Sequence, residues 1–349
     1  MTVRRDTGAG AKVTEENEKE EEQEEWAEGR RKKGPVGAPG PGVVDARRNA
    51  RIVGAALDRI VAGYVFPERA ATIEAAIRGR LAAGECVALD GPGLCTAVTA
   101  HLQEVCPDRH LRLLWRDEPQ SVASEDDDAG RAAFLALLRA ENQGIRAVEQ
   151  LDGNVGRMDI RRIADGGEGI RAIGAAMELG APTRALLLDL RECRGGAPEG
   201  AALWCSYFFP DDQVHLNDTY SRATDSTRQY WTASHLPAPR YLDRPVYALT
   251  SATTFSGGED VAYALQAHGR AVVVGETTRG DAHPTDRHPV TEHITVTVPT
   301  ARTVSAVTGT NWEGVGVRPD RTVPAERALG ATHEEARRGA DWLRGSPAS

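Results

Sequence analysis

The sequence contains few aromatic residues and no long apolar run. Aromatic side chains make up 5% of its 349 residues, whereas glycine occurs 36 times and proline 19 times. Alanine, valine and leucine must therefore supply most of the packing in a folded core. No uninterrupted apolar stretch approaches the ~20 residues that a membrane-spanning helix needs, so the composition predicts no membrane protein.

Basic charge is also scarce. There are 42 lysine and arginine residues against 51 aspartate and glutamate residues, which gives a formal charge of −9. A bulk nucleic-acid-binding protein normally shows a basic excess, so nucleic acid is not expected as a partner. The first residues contain no hydrophobic segment after Arg4 and Arg5, unlike a secretory signal, and this predicts a cytoplasmic protein.

The cysteines do not form a recognisable pairing pattern. They are odd in number and include no C-x-x-C pair. The pattern predicts reduced, partly buried thiols in preference to a disulfide framework or a cysteine-bound zinc ion. The five residues are Cys86, Cys95, Cys106, Cys193 and Cys205.

Composition divides the chain into four predicted parts. Residues 1–44 combine a run of glutamates with a Gly/Pro-rich end, bury too little apolar area to fold and predict a disordered charged tail. Residues 45–107 carry apolar side chains at helical spacing and predict a small bundle of about three helices. Residues 108–335 predict a β/α core, and 336–349 a flexible C-terminus.

Strands and helices alternate within the predicted core. Buried strands are predicted at ALLLDL, VYALT and AVVVG, with a helix from about Ser256 to His268 between the last two. This order is typical of a parallel sheet with right-handed crossovers. GIRAVEQLDGNVGRMDI predicts a β-hairpin with its turn at 152–154. The predicted fold class is therefore α/β.

A serine between a predicted strand and a predicted helix is the first candidate for chemistry. Ser256 precedes Gly257, and backbone N–H groups at a helix N-terminus have no partner within the helix. The Gly257 N–H could therefore hold the oxyanion of a tetrahedral intermediate formed on Ser256. The spacing Ser256-x-x-Glu259 also matches a capping box, in which both side chains only satisfy backbone donors, and spacing alone favours the cap.

Three further stretches carry residues suited to an active site. Gly195 and Gly196 follow a buried predicted strand, and loops at the carboxyl ends of parallel strands gather into clefts. Asp108 lies two residues before His110 and could orient it as a general base. Glu313 lies in a Gly-rich loop and could support a histidine. Each has a structural alternative, respectively an ordinary strand-to-helix turn, a structural histidine and a turn cap.

Seven strings of the sequence belong together, in the order GYVFPERA, DRHL, LDGNVGRMDI, LLLDLRECRGG, TSATTFSGGEDVAYALQ, GRAVVVGETTRGDAHP and TGTNWEGVGVRPD. Together these strings resemble the tail-specific (carboxyl-terminal-processing) serine peptidase family. They are closest to its branch that resembles interphotoreceptor retinoid-binding protein, and they span about Ile52 to Leu329. Each string is modestly specific alone, whereas their common order and spacing are specific.

The resemblance implies a crotonase-like β/α spiral core preceded by the helical bundle. It also implies that the protein hydrolyses polypeptide substrates through an acyl-enzyme on Ser256. The Gly257 N–H and an N–H from Gly195 or Gly196 would form the oxyanion hole. The implied mechanism requires neither a metal ion nor an organic cofactor, and the sequence predicts no oligomeric state.

The general base differs among the relatives. Many pair the serine with a lysine 25 residues later, but Asp281 occupies that position here, so a serine–lysine dyad is not expected. Others use a serine, a histidine and a glutamate that lies just under sixty residues beyond the serine, and Glu313 follows Ser256 by 57 residues. The resemblance therefore implies His110 as the base and Glu313 as its partner, with His283 as the reserve base.

A binding module is the competing interpretation. The retinoid-binding relatives indicate that the fold can carry apolar ligands without proteolysis. The missing lysine is consistent with an inactive chain in which Ser256 remains only as a helix cap. The alternative function is thus a catalytically inactive binding module for a hydrophobic ligand or peptide.

Overall fold

The computed structural model describes residues 46–86, 88–120, 128–165, 167–210 and 213–345. The predicted tail at 1–44 lies outside these residues. The helices are α1 (Ala46–Gly63), α2 (Pro67–Ala82), α3 (Gly91–Val105), α4 (Asp128–Ala140), α5 (Glu168–Gly180), α6 (Pro198–Ser206), α7 (Gly257–Ala267) and α8 (Ala325–Gly345). The strands are β1 (Arg112–Trp115), β2 (Ile145–Leu151), β3 (Val155–Ile160), β4 (Ala185–Asp189), β5 (His215–Ser221), β6 (Ser226–Trp231), β7 (Val246–Thr250), β8 (Val272–Gly275), β9 (Thr285–Pro289), β10 (Ile294–Pro299), β11 (Ala301–Ser305) and β12 (Arg321–Thr322).

A six-stranded sheet forms the centre of the predicted core. Its strand order is β12-β8-β7-β4-β3-β2. All neighbours pair in parallel except β2 and β3, which form the antiparallel hairpin predicted from the sequence. The α/β fold class and the parallel sheet are confirmed, whereas the crotonase-like spiral stays a prediction.

The central sheet buries both faces because successive side chains along a strand point to opposite sides. On one face, Leu186 and Leu188 pack with α5, α6 and α7 in the largest hydrophobic cluster. On the other face, Leu187 and Tyr247 pack with Ala336 of α8. This double cover explains why ALLLDL is a continuous apolar run.

The last helix differs from the sequence prediction. Helix α8 continues to Gly345, whereas a flexible C-terminus was predicted from residue 336. Ala328 and Ala336 are buried, and Leu329 packs partly buried against the sheet. Alanine contacts of this kind give a weak apolar signal in the sequence, although they suffice to hold the helix on the sheet.

The N-terminal helices share a core with a second sheet. As predicted, three helices form between residues 46 and 105, and they pack against the antiparallel sheet β1-β10-β9. Leu102 of α3, Leu113 of β1 and Val296 of β10 belong to one cluster of buried side chains. The predicted bundle therefore continues into strands beyond residue 107, and His110 lies directly before one of them.

The remaining sheet is the antiparallel set β11-β5-β6.

All five cysteines are free and buried, as predicted for reduced thiols. Within the described ranges, no helix combines the length and apolarity that crossing a membrane requires.

Candidate active site

Ser256 lies at a tight turn between a fully buried strand and a helix. Strand β7 ends at Thr250, and α7 begins at Gly257. The turn is attached to the segment after β4, because the Thr254 hydroxyl donates to Leu190 O at 2.9 Å and Phe255 N donates to Cys193 O at 3.1 Å.

The backbone of Ser256 is strained and its side chain is only half-buried. Its φ of 47° and ψ of −114° are unusual for a residue other than glycine. Strain of this kind persists only where the surrounding contacts enforce it, and it is concentrated at functional sites. The turn thus places Ser256 beyond the carboxyl end of β7, on the side of the sheet where its parallel strands end.

Glu259 forms the predicted cap and also reaches a second loop. Its Oε2 accepts a hydrogen bond from Ser256 N at 2.7 Å and another from Asp281 N at 3.1 Å. Its Oε1 accepts from the Thr278 hydroxyl and from Gly280 N, both at 2.6 Å. Burial raises the pKa of Glu259 to about 7, although these four donors favour the ionised form. The carboxylate therefore joins the serine turn to the loop that carries Asp281.

Two glycines pack directly against the serine turn. A Cβ on Gly195, whose φ is +88°, would lie 2.9 Å from Ser256 Cβ. A Cβ on Gly257 would lie 3.0 Å from Gly196 N. Because side chains would not fit at this crossing, the glycines allow two backbone segments to approach closely. The structure thus brings together all three glycines that the sequence predicted for an oxyanion hole.

The N–H groups of these glycines differ in their partners. The Gly195 N–H faces the buried Cys193 thiol, and this hydrogen bond acts to lower the thiol pKa that burial raises to about 12. Among the described residues, the N–H groups of Gly196 and Gly257 donate no hydrogen bond. The pair Gly196 and Gly257 is therefore better suited than Gly195 to receive an oxyanion.

His110 lies beside the serine turn. Its ring centroid is 5.3 Å from that of Phe255, the residue before Ser256. The residue is 5% exposed, and burial lowers the pKa of the imidazole to about 4. Asp108 acts against this shift, whereas His283 reinforces it. The imidazole is therefore neutral at neutral pH, the form in which it accepts a proton.

Two carboxylates lie close to His110. Asp281 Oδ1 is 3.8 Å from His110 Nδ1, and the Asp281 side chain is fully buried. A third side chain, Glu313, completes the group. If one nitrogen or oxygen atom is taken from each of His110, Asp281 and Glu313, these three atoms lie within 4.8 Å of one another. Burial raises the pKa of Asp281, and it raises the pKa of Glu313 to about 7. The predicted partner Glu313 is thus near His110, with Asp281 as a second partner.

His283, the predicted reserve base, is engaged elsewhere. Its Nδ1 is 3.2 Å from Asp108 Oδ2 and 3.5 Å from Glu313 Oε2. Burial acts to raise the pKa of Asp108, but the hydrogen bond from His283 and the charges nearby lower it overall. The sequence suggested that Asp108 orients the imidazole of His110. Instead, Asp108 Oδ1 accepts the backbone N–H of His110 at 3.0 Å, while its other oxygen faces His283.

Sequence reasoning missed the positions of two carboxylates. Glu259 appeared only as a cap, because its contacts to Gly280 and Asp281 join segments that are distant in sequence. Asp281 appeared only as the residue that replaces a lysine. That replacement was the available signal, since a carboxylate there can support a histidine base brought from elsewhere.

The sequence comparison matches part of this chain to a known family. Residues 154–323 match the model of peptidase family S41. The matched segment includes Gly195, Gly196, Ser256, Asp281 and Glu313, whereas His110 lies before it.

Solved structures with a similar fold include three of low sequence identity. A candidate peptidase from Parabacteroides merdae has a TM-score of 0.58 at 14% identity, with 82% of this chain and 96% of that chain covered. A lipoprotein from Streptococcus agalactiae has a TM-score of 0.52 at 13% identity, with coverages of 87% and 99%. The tricorn protease has a TM-score of 0.51 at 12% identity, with coverages of 86% and 37%. At these identities the likeness establishes the fold alone.

Proposed function

Because this chain belongs to peptidase family S41, we propose that it is a serine peptidase that hydrolyses peptide bonds through an acyl-enzyme on Ser256. The observation that carries the proposal is the strained turn at Ser256, which packs against the Gly195–Gly196 loop. The N–H groups of Gly196 and Gly257, which donate no hydrogen bond among the described residues, lie at this crossing. The substrate is a polypeptide, in keeping with the family.

His110 acts as the general base in this proposal. The neutral imidazole takes the Ser256 proton as the serine oxygen attacks the scissile carbonyl carbon. It then gives that proton to the leaving amine. In the second half of the reaction, His110 takes a proton from water as the water attacks the acyl carbon, and it returns the proton to Ser256 as the carboxylic acid leaves. The low basicity of His110 is offset in the transition state, because Asp281 and Glu313 stabilise the imidazolium as it forms.

The N–H groups of Gly196 and Gly257 stabilise the other developing charge. The carbonyl oxygen becomes an oxyanion in the tetrahedral intermediate, and donors fixed in place before the reaction need no reorganisation. Each such donor contributes roughly 3–4 kcal/mol in comparable sites. His283 is the less suitable base because its ring packs against Phe66, with 5.5 Å between the ring centroids, whereas the His110 ring packs against Phe255 next to Ser256.

One observation favours the inactive binding module. Asp281 stands where many relatives have their catalytic lysine, so hydrolysis depends wholly on the histidine. In a binding module, Ser256 would serve only the cap that Glu259 completes. The two functions differ in whether the Ser256 hydroxyl reacts.

Labelling with a fluorophosphonate probe, followed by peptide mapping, tests the proposal. We expect covalent labelling at Ser256 and hydrolysis of an unfolded peptide by the unaltered chain. Ser256→Ala should lose the labelling and the hydrolysis and keep the melting temperature of the unaltered chain. The control is Ser226→Ala, which changes an exposed serine on β6 and should keep both activities. Unchanged peptide turnover by Ser256→Ala would eliminate the assignment.

A further inference from the structure

Three neighbouring side chains leave buried polar atoms without a hydrogen bond. Within the described part of the chain, these atoms include His110 Nδ1, both oxygens of Asp281 and Glu313 Oε1. The His110 side chain is 7% exposed and the Asp281 side chain is fully buried. A buried polar group without a partner destabilises the fold, and more so when it is charged, so this cluster is suited to a ligand.

Each of these residues is anchored through other atoms. Glu313 Oε2 accepts from Ala282 N at 2.7 Å, and the backbone N–H of Asp281 donates to Glu259 Oε2 at 3.1 Å. The backbone N–H and C=O of His110 both hydrogen-bond to side chains. Such outer contacts orient the ligands of a metal ion. The free atoms are thus held near one another by contacts that a bound ion would not break.

The donor set determines which ligand fits. Imidazole nitrogen and carboxylate oxygen are both zinc ligands, and three protein ligands leave the fourth position of a tetrahedral zinc ion open. Magnesium and calcium instead prefer shells of six or more oxygen atoms. Nδ1 of His110 and Oδ1 of Asp281 are 3.8 Å apart, and the ligand atom of Glu313 lies within 4.8 Å of both. Ligand atoms around tetrahedral zinc are about 3.3 Å apart, so shifts of about 0.5–1.5 Å bring the three atoms onto one ion.

We propose that His110, Asp281 and Glu313 form a binding site for a zinc ion. The two carboxylates, when ionised, carry two negative charges and the imidazole is neutral, so a dication balances the charge of the set. The ion binds through His110 Nδ1, Asp281 Oδ1 and Glu313 Oε1, which make no hydrogen bond to the described residues. Zinc binding therefore supplies contacts that the fold leaves unmade.

Arg279 weakens zinc binding without blocking it. Its guanidinium contacts Asp281 Oδ2 and leaves Oδ1 towards His110. The Arg279 side chain is 38% exposed and stacks over the Phe255 ring, 4.9 Å from the centroid. Its positive charge repels a neighbouring dication. Arg279→Gln should therefore bind zinc several-fold more tightly, an effect that a purely structural cluster would not show.

Zinc at this site would inhibit the peptidase, and this consequence rests on the proposed function. A neutral imidazole that binds zinc through Nδ1 carries its proton on Nε2. Such an Nε2 cannot accept the proton of Ser256. Zinc binding and formation of the acyl-enzyme are therefore mutually exclusive.

Calorimetric titration of the chelator-stripped full chain with Zn²⁺ tests the site. We expect one ion per chain and at least ~100-fold weaker binding in both Asp281→Asn and Glu313→Gln. Asp218→Asn, which alters another His–Asp contact at His215, should bind zinc as the unaltered chain does. Circular dichroism confirms that each variant is folded.

Several results would overturn the zinc site. They are the absence of stoichiometric binding by the folded unaltered chain, unchanged affinity in the folded Asp281→Asn and Glu313→Gln variants, and equal affinity for Mg²⁺ or Ca²⁺. If one of these two variants fails to fold, the other variant and Arg279→Gln still test the zinc site. Weaker zinc binding by Arg279→Gln would contradict a site beside Asp281.

Fluorophosphonate labelling separates this proposal from the proposed function. Zinc at saturating concentration should suppress labelling of Ser256, and a chelator should restore it. Labelling that persists under saturating zinc refutes the inhibition. A chain that is never labelled refutes the peptidase proposal, whereas calorimetry still measures the zinc site independently.

Discussion

Glu259 is buried, and its carboxylate contacts both loops of the proposed active site. As the cap of α7 it accepts from Ser256 N, and through the same oxygen it accepts from Asp281 N. The cap and the active-site interpretations of Ser256 are therefore compatible, because the cap also sets where Asp281 lies. A single residue thus links the proposed nucleophile with a carboxylate beside the proposed base.

Asp260, the next residue along α7, makes folding depend on pH. Burial raises its pKa to about 7 from an ordinary value of 3.8, while Asn217 Nδ2 donates to it at 3.0 Å and opposes the shift. Between these pH values the folded chain holds a proton that the unfolded chain releases. The contribution of Asp260 to the free energy of unfolding is therefore greatest at low pH and falls as the pH rises towards 7.

Asp260→Asn should remove this loss of stability. An amide oxygen still accepts from Asn217, and no charge is buried at high pH. We expect the free energy of unfolding of the variant to exceed that of the unaltered chain by roughly 2–4 kcal/mol at pH 8 and by much less at pH 5. Denaturant unfolding at the two pH values measures the difference. Asp58→Asn, whose side chain is 75% exposed, is the control and should show no such pH-dependent gain. Equal gains at both pH values would contradict the argument.

At the scale of elements, the proposed oxyanion hole lies where the Gly195–Gly196 loop crosses the start of α7. Neither segment forms the hole alone, because one N–H comes from each. The crossing is close enough that a methyl group changes it. A substitution there should therefore affect the reaction more than the fold.

Gly257→Ala tests this crossing. Its Cβ would lie 3.0 Å from Gly196 N and from Gly196 O, so the loop must shift by a few tenths of an ångström. We expect kcat to fall about 100-fold, since loss of one oxyanion donor typically costs that much, with a small change in melting temperature. Gly330→Ala in α8 meets no atom within 4 Å and should leave kcat unchanged. An unaltered kcat in Gly257→Ala would mean that these N–H groups do not hold the oxyanion.

The elements that the sequence predicted are those with a strong local signal. The apolar run 185–190 and the turn at 152–154 identified β4 and the β2–β3 hairpin. Strands β5 and β6 were missed because HLNDTYS and STRQYW are mostly polar. Contacts between distant segments carry no local signal, so the approach of Asp281 to His110 appeared only in the structure.

At the scale of the whole molecule, the proposed active site draws on two hydrophobic cores. Ser256 follows a strand of the central sheet, whereas His110 precedes β1, which packs with the N-terminal helices. The backbone of β1 is tied to α3, because Leu113 N donates to the Thr99 hydroxyl and that hydroxyl donates to Leu113 O. Packing among the helices therefore determines where the proposed base lies.

A cavity in the helical core should consequently affect catalysis. Leu102 is fully buried in α3, and Leu102→Ala should destabilise the chain by about 2–5 kcal/mol. Because β1 then relaxes towards the cavity, His110 shifts, and a displacement of 1 Å can cost about 100-fold in rate. Leu187→Ala makes a comparable cavity under α8, on the sheet face away from α7. With kcat measured at a temperature where circular dichroism finds both variants folded, we expect Leu102→Ala to lose at least ~10-fold more activity than Leu187→Ala. Equal losses would indicate that stability, and not the position of His110, connects the helical core with the active site.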